Sequence, residues 1–430
     1  MPLNVIIIGA GIAGLTAAIS LREAGHHVEV YEKSSFAAEI GAAVNLLPNG
    51  VKVLESLNFD FDRARAVTTL HLDTVNGIDM SPIASRDLHE AAKIYGAAPK
   101  GIHRVDLHRE LMRLANVAEV HGPNENVTET AKSSTLLHLS SAAKSVDAER
   151  GSVEFADGTI KHADLIVGAD GLHSVVRGAV VRDPEHGKPV HTGQSAFRFL
   201  IKAQDLEALE AGRDLLALKR PGTTSFIDTK NPDADRHLIW YPCRNGTVHN
   251  FVGVHPTPSN NDSATVEEDS AQMVEEFAHF DPRIVHLLSH VKDAKRWPLF
   301  ELKPLPSWSH GKAVIIGDAA HPMLPLGAQG ANQGIEDGAV LGHVLANANS
   351  AADIPQRLQL FDQLRVKRAS RVQILSSIRY SNESLVREKL EPYMEPGMEV
   401  PESFHARAMH DTGFDALAHC KRAMSEAGIH

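Results

Sequence analysis

The sequence predicts an α/β protein: a Rossmann-like dinucleotide-binding domain with an inserted β-sheet domain and a C-terminal helical segment. Three observations carry this expectation. Val5-Ile-Ile-Ile8 is a continuous apolar run, as in a strand buried on both faces, and it leads directly into Gly9-Ala-Gly11-Ile-Ala-Gly14. Two more short apolar runs, Ala163–Gly168 and Lys312–Gly317, also end at a glycine with an Asp close behind. The intervening stretch, roughly 190–300, has another texture and reads as strands of a separate sheet.

In chain order, Leu15–Ala24 has helix-compatible composition, Gly25 ends it, and His27-Val-Glu-Val-Tyr-Glu32 reads as a second strand. A bare G-x-G-x-x-G is weak evidence, but here it follows a strand, opens a helix and has an acid, Glu32, at the end of the next strand. Gly9 then permits the tight turn, Gly11 lets backbone N–H groups approach a pyrophosphate, and Gly14 brings helix and strand together. Glu32 would accept from ribose hydroxyls. In the middle stretch, Ser195–Ile201, His237–Tyr241 and Asn250–Val254 read as strands, and Asp281-Pro282 as the cap and first residue of a helix. From about Ala351 the spacing of Leu358, Phe361, Leu364 and Val372 is helical. The expected boundaries are 1–185 with 300–350 for the discontinuous dinucleotide domain, 186–299 for the inserted sheet and 351–430 for the C-terminal helices.

Composition narrows the function. The 430 residues carry 43 Lys and Arg against 54 Asp and Glu, a net charge of −11, which disfavours a nucleic-acid partner. The 2 cysteines, Cys243 and Cys420, suit neither a disulfide framework nor a Cys-rich metal site and fit a reducing, cytoplasmic address. The N-terminal apolar run lacks a basic flank and is broken by glycines, so neither a signal peptide nor a membrane span is expected. Among the 25 histidines, His286 and His290 sit four apart on a helix, but no third ligand is evident and no metal is expected.

The second and third junctions are more specific than the first. Gly168-Ala-Asp170-Gly-Leu-His-Ser-Val-Val-Arg177 and Gly317-Asp318-Ala-Ala-His-Pro-Met-Leu-Pro325-Leu-Gly327-Ala328-Gln-Gly330-Ala331-Asn332-Gln-Gly334 resemble the later fingerprints of the class A FAD-dependent aromatic monooxygenases, the group with the p-hydroxybenzoate hydroxylase fold. Arg104-Val-Asp-Leu107 with Leu111 resembles the element by which that family contacts the FAD phosphates. Glu39–Ala43, Leu47-Pro-Asn49 and Phe361–Gln373 resemble the salicylate hydroxylase-like subgroup, as does His237-Leu-Ile-Trp-Tyr241-Pro242.

The resemblance implies FAD as cofactor, held by Gly9, Gly11, Gly14, Glu32, Lys33, Ala43, Arg104, Asp170, Asp318, Pro325, Gly327, Ala328, Gly330, Ala331 and Asn332. With no second dinucleotide motif in the chain, NADH or NADPH would act as a transient cosubstrate. It further implies hydroxylation of a small aromatic substrate by O2 through a flavin C4a-hydroperoxide, with loss of CO2 where the attacked carbon bears a carboxylate. On a strand, 237 and 241 share a face, so His237 and Tyr241 are candidates to meet the substrate, His237 as base, and Arg198 to hold a phenolate or carboxylate. His321 is expected to shape the pocket or to hydrogen-bond near the ring, and Arg365, Arg368 and Arg371 to form a solvated or interdomain helix face. The alternatives are a hydroxylase of a secondary-metabolite phenol, indole or hydroxypyridine, an isoprenoid epoxidase or reductase, and a non-enzymatic FAD-binding redox sensor. A monomer and a homodimer are both compatible with the sequence.

Overall fold

The computed structural model describes residues 1–35, 42–119, 135–181, 186–231, 235–257, 266–379, 382–395 and 397–429. Residues 39–41 of the Glu39–Ala43 segment lie outside them. Two seven-stranded sheets organise the chain. The first runs in the order Ser309–His310, Ala313–Ile315, Leu165–Gly168, Asn4–Ile8, His27–Tyr31, Thr135–His138, Val117–Glu119. All its pairs are parallel except the outermost, Ser309–His310 with Ala313–Ile315. Asn4–Ile8 sits centrally, and Val5 to Ile8 are all buried because helices cover both faces.

Helix Ile12–Glu23 packs against helix Gly330–Leu345 at very short range. A Cβ on Gly338 would stand 2.6 Å from the Ala17 nitrogen, and one on Gly342 2.3 Å from the Ser20 Cβ. Glycines four residues apart form one stripe of a helix, so the contact is written in the sequence as Gly334, Gly338 and Gly342.

The second sheet runs Lys295–Glu301, Val190–Lys202, Val248–Pro256, His237–Cys243, Gly222–Ile227, His71–Asn76, Pro82–Asp87. One face carries Phe197, Phe199, Trp240 and Phe251, which pack on Met273, Phe277, Ile284 and Leu287 of helices Val266–Glu276 and Pro282–Ser289. Asp281 caps the latter, accepting from the Arg283 N–H at 2.9 Å with Pro282 in the first turn. The other face bears Arg198, His237 and Ile239, each of which lines a cavity.

Two strands of this second sheet come from inside the stretch expected to belong wholly to the dinucleotide domain. His71–Asn76 pairs in parallel with Gly222–Ile227, and Pro82–Asp87 completes the edge. Their burial shows why no sequence signal marked them: the first is half-buried throughout and the second exposed throughout, so neither alternates. The chain ends in helices, the longest being Ile354–Leu375. No helix among the described residues is long and apolar enough to cross a membrane.

Candidate active site

Four strand ends create the first cavity. Ile8 is in register with Tyr31 on one side and Gly168 on the other, and Gly168 with Ile315. Because these strands are parallel, the segments that follow them, at Gly9, Glu32, Ala169 and Gly317, emerge along one edge of the sheet, the place where doubly wound sheets take ligands. They enclose a cavity of about 410 Å³. Its wall includes Gly9, Gly11, Glu32, Lys33, Ala43, Arg104, Asp170, Asp318, Gly330 and Ala331, together with His173 of the second motif, Arg198, which was expected at the substrate, and Tyr31 and Ser141, which were not expected at the site.

The residues fit a dinucleotide. A Cβ at Gly9 would lie 2.4 Å from the Ala169 carbonyl oxygen and one at Gly14 2.0 Å from the Gly9 carbonyl oxygen, so both positions exclude a side chain by contact with the protein itself. Gly11 has nothing within 4 Å of its Cβ position; the space there belongs to the cavity. Glu32 accepts from the Ala10 N–H at 2.9 Å and the Ser34 N–H at 2.8 Å, which orients its carboxylate and leaves lone pairs for hydroxyl donors. Asp318 is exposed at its strand end, close to where helix Gly330–Leu345 begins. In that helix the first intrahelical bond is donated by Gln333 to the Gln329 carbonyl at 2.8 Å. The N–H groups of Gly330, Ala331 and Asn332 therefore precede the ladder, at the positive end of the helix dipole.

Asp170 is committed locally: it accepts from Ser174 Oγ at 2.5 Å and the Val175 N–H at 2.7 Å, closing the start of helix Val175–Val180. Arg177, buried, donates to the Ala319 carbonyl at 3.0 Å and the Gly187 carbonyl at 2.9 Å. It joins the second junction to the third.

The second cavity, about 440 Å³, lies between the inner face of the second sheet, the turn after Leu324 and the C-terminal segment. It is lined by His237, Ile239, Thr223 and Ser225 from the sheet, Leu72 and Leu88 nearby, and Arg379, Ala408 and Thr412 from beyond the long helix. Pro325, Gly327 and Ala328 belong to this wall and not to the first cavity. Strand Ala43–Leu46 and the segment 325–331 contribute to both, so the two cavities adjoin there. Asn332 lines neither; its side chain accepts from the Leu47 N–H at 2.9 Å and donates to the Asn45 carbonyl at 3.1 Å and the Ala328 carbonyl at 2.8 Å. It locks that shared wall in place.

The three candidate catalytic residues separate. His237 is 3% exposed and lines the second cavity, with its Nε2 unpartnered. Burial, reinforced by the Arg379 cation and opposed by Asp235, pushes its pKa well below the usual histidine value. Tyr241 is on the same strand face but stands outside that cavity, because four residues of strand advance about 13 Å. It is buried against Gly101, near Arg198, and burial raises its phenol pKa. Arg198 belongs to the first cavity; burial lowers its pKa and its neighbours in charge are Tyr241, Arg104 and Asp318.

Two expectations about the surroundings are corrected. Of the two alternatives for Arg365, Arg368 and Arg371, the solvated one falls, since they are 1%, 3% and 5% exposed, and a buried face between helices Ile354–Leu375 and Gly330–Leu345 is what the structure shows for Arg365 and Arg368. Arg365 bonds Glu336 at 2.5 Å and Asp337 at 2.8 Å, and Arg368 bonds Glu336 at 3.0 Å. The matching acids, Glu336 and Asp337, follow just after the third motif, on the helix that it opens. His321 is buried in the same network, 2.5 Å from Asp337 and tilted against Trp308, away from both cavities. Arg379 was missed altogether, since one Arg near a helix end carries no pattern. Among the described residues no group of three or more His, Cys, Asp or Glu is arranged to hold a metal ion.

Comparison with known proteins agrees with this geometry. Residues 2–375 match the family model described as FAD binding domain. The chain is 34% identical to the FAD-dependent monooxygenase cfoG of Aspergillus candidus, covering 98% of this chain and 95% of that one. It is 35% identical to hispidin-3-hydroxylase of Neonothopanus nambi, over 85% and 86% of the two chains. Among solved structures, a salicylate hydroxylase substrate complex superposes with a TM-score of 0.70 at 24% identity, covering 98% of each chain, which shows a shared fold. The chain thus belongs to the FAD binding domain family and, within it, to the FAD-dependent monooxygenases of the aromatic-hydroxylase type.

Proposed function

We propose that this enzyme hydroxylates a small phenolic ring, using NADH or NADPH and O2, and that the second cavity is where the ring binds. The observation that carries the reading is the position of that chamber: it is lined largely by apolar groups, adjoins the dinucleotide cavity along segment 325–331, and holds one unpartnered histidine nitrogen. FAD, when bound, supplies the activated oxygen.

The chain's own residues do the rest. Glu32 takes ribose hydroxyls, Gly11 and Arg104 the pyrophosphate, Asp318 the ribityl hydroxyls, and the free N–H groups of Gly330 to Asn332 stabilise negative charge on the ring system. The Asn332 hydrogen bonds keep the shared wall rigid, so the ring and the oxygen donor are held at fixed separation. Leu72, Leu88 and Ile239 exclude water from the chamber, which keeps the reactive oxygen for the substrate. His237 hydrogen-bonds the ring oxygen. Arg198 and Tyr241, near one another at the dinucleotide side, stabilise charge on the flavin or on a carboxylate of a substrate that reaches it. A carboxylate on the attacked carbon would leave as CO2. We place the reaction in the cytosol, where the two buried thiols, Cys243 and Cys420, stay reduced.

A panel of phenols, hydroxybenzoates, indoles and hydroxypyridines tests this, scored for stimulated NADH and NADPH oxidation and for product mass. A product 16 mass units heavier, or one that has also lost CO2, supports the reading. Oxidation that no aromatic stimulates, with an isoprenoid as the only turned-over compound, overturns it.

A further inference from the structure

His237 has two neighbours within hydrogen-bond distance of the same ring nitrogen, and they make opposite demands; the Asp235 carboxylate stands farther off, 3.7 Å from Nδ1. Arg379 Nη2 lies 3.0 Å from Nδ1, and the Asp235 carbonyl oxygen lies 3.1 Å from it. A guanidinium only donates and a carbonyl only accepts, so one contact is a hydrogen bond and the other an approach of like groups. The charge-assisted bond is the stronger. Nδ1 therefore accepts from Arg379, and the single ring proton sits on Nε2. That atom is buried without a partner, on a side chain 4% exposed, in the chamber wall. Arg379 is itself held by the Asp235 carboxylate, from the loop just before the strand.

We propose that Arg379 is the positioning residue of the chamber: it fixes His237 as an Nε2–H donor and so selects substrates that present an anionic oxygen, a phenolate in the simplest case. The proposal rests on the phenol reading above and goes beyond it, because the histidine expected to remove the phenol proton instead receives the oxygen already ionised. The phenol O–H bond breaks to give phenolate and a proton that passes to solvent; His237 gains none. A neutral phenol would set its own O–H against the Nε2–H, two donors with no acceptor. The other charged or titratable groups of the wall are Asp73, Arg86 and Tyr95, from three further elements. Asp73 is engaged by Arg220. Arg379 lies four residues past the end of the family match at 375, whereas His237 and Asp235 lie within it, so the device joins the C-terminal segment to the matched region.

The test titrates a bound dye. FAD-loaded enzyme is mixed with 4-nitrophenol, whose ionised form absorbs in the visible, and affinities for phenol and phenolate are read across pH for wild type, Arg379→Gln, Arg379→Lys, His237→Gln and His237→Phe. Flavin content and thermal midpoint are recorded for each. Wild type is expected to prefer the phenolate at least about tenfold, the difference a charge-assisted donor makes. Arg379→Gln and His237→Phe should lose most of that preference, while Arg379→Lys and His237→Gln, which keep a cation or an N–H donor, should recover part of it. An equal preference in wild type and in folded, flavin-loaded Arg379→Gln or His237→Phe overturns the proposal and leaves the phenol reading standing. If Arg379→Gln does not fold, the His237 pair decides alone. If neither this dye nor any phenol of the panel binds wild type, both readings fall together.

Discussion

At the scale of single residues, the three glycines of the first motif separate two meanings that a motif merges. Gly14 has no room because the protein fills the space, whereas Gly11 has no neighbour and faces the cavity. Gly14→Ala is therefore expected to destabilise the fold by a few kcal/mol, as overpacking does, with a lowered urea midpoint. Gly11→Val should change stability by no more than about 0.5 kcal/mol, as for an uncrowded site, yet lower the bound flavin at least tenfold. Equal effects of the two on stability would refute this division. Ala408→Phe probes the other cavity: its side chain should occupy the chamber, raising KM for larger phenols with flavin content unchanged. What could be read from sequence at this scale were residues whose neighbours in the chain define their task. Gly9, Glu32 and Asp318 belong to contiguous patterns set by strand ends. Arg379 does not, and neither does the buried fate of Arg365, because the acids that neutralise it lie about 29 residues upstream on another helix.

Elements show where charge is stored. Glu336 and Asp337, on the helix that opens toward the flavin, are both fully enclosed and paired with Arg365, Arg368 and His321. Burial alone would raise the Asp337 carboxyl, but His321 and Arg365 outweigh it and bring its pKa to about 2. Arg365→Met leaves two buried carboxylates short of a partner and should cost about 3–5 kcal/mol, read as a fall in urea midpoint. The second sheet and its neighbourhood store neutral histidines instead. His103 and His249 are each lowered to about 4 by burial, helped by Arg244 and Lys219 respectively. Their folded values lie below the unfolded one, so stability is fully present above about pH 6.5 and falls as the pH drops toward 4, by on the order of 1 kcal/mol per pH unit for each. Urea midpoints at pH 7, 6 and 5 should trace this, and His249→Gln, which can still accept from Trp240 Nε1, should flatten the slope. A midpoint that rises as pH falls would contradict it. Strands legible from sequence were those with a clear burial pattern, such as Val5–Ile8; His71–Asn76, half-buried along its length, offered none.

For the whole molecule, the motifs at 9, 104, 170 and 318 pointed to one shared place, and Gly9, Arg104, Asp170 and Asp318 do line a single cavity. The route of the chain between the sheets was not legible, because strand pairing across long separations leaves no local mark. That route has a consequence for how the protein is made. His71–Asn76 waits for its parallel partner Gly222–Ile227, and Pro82–Asp87 depends on it in turn. From Asp87 to Gly222 roughly 135 residues must leave the ribosome, about 7–27 s of synthesis at ordinary rates. During that interval a hairpin with two bare edges is available to any other strand nearby. The first sheet waits longer, for Ala313–Ile315 and the helix behind it. Nascent chains are thus expected to be most prone to misassociation before residue 222 emerges, and the flavin can be captured only after Ala313–Ile315, the last of its four strands, has emerged.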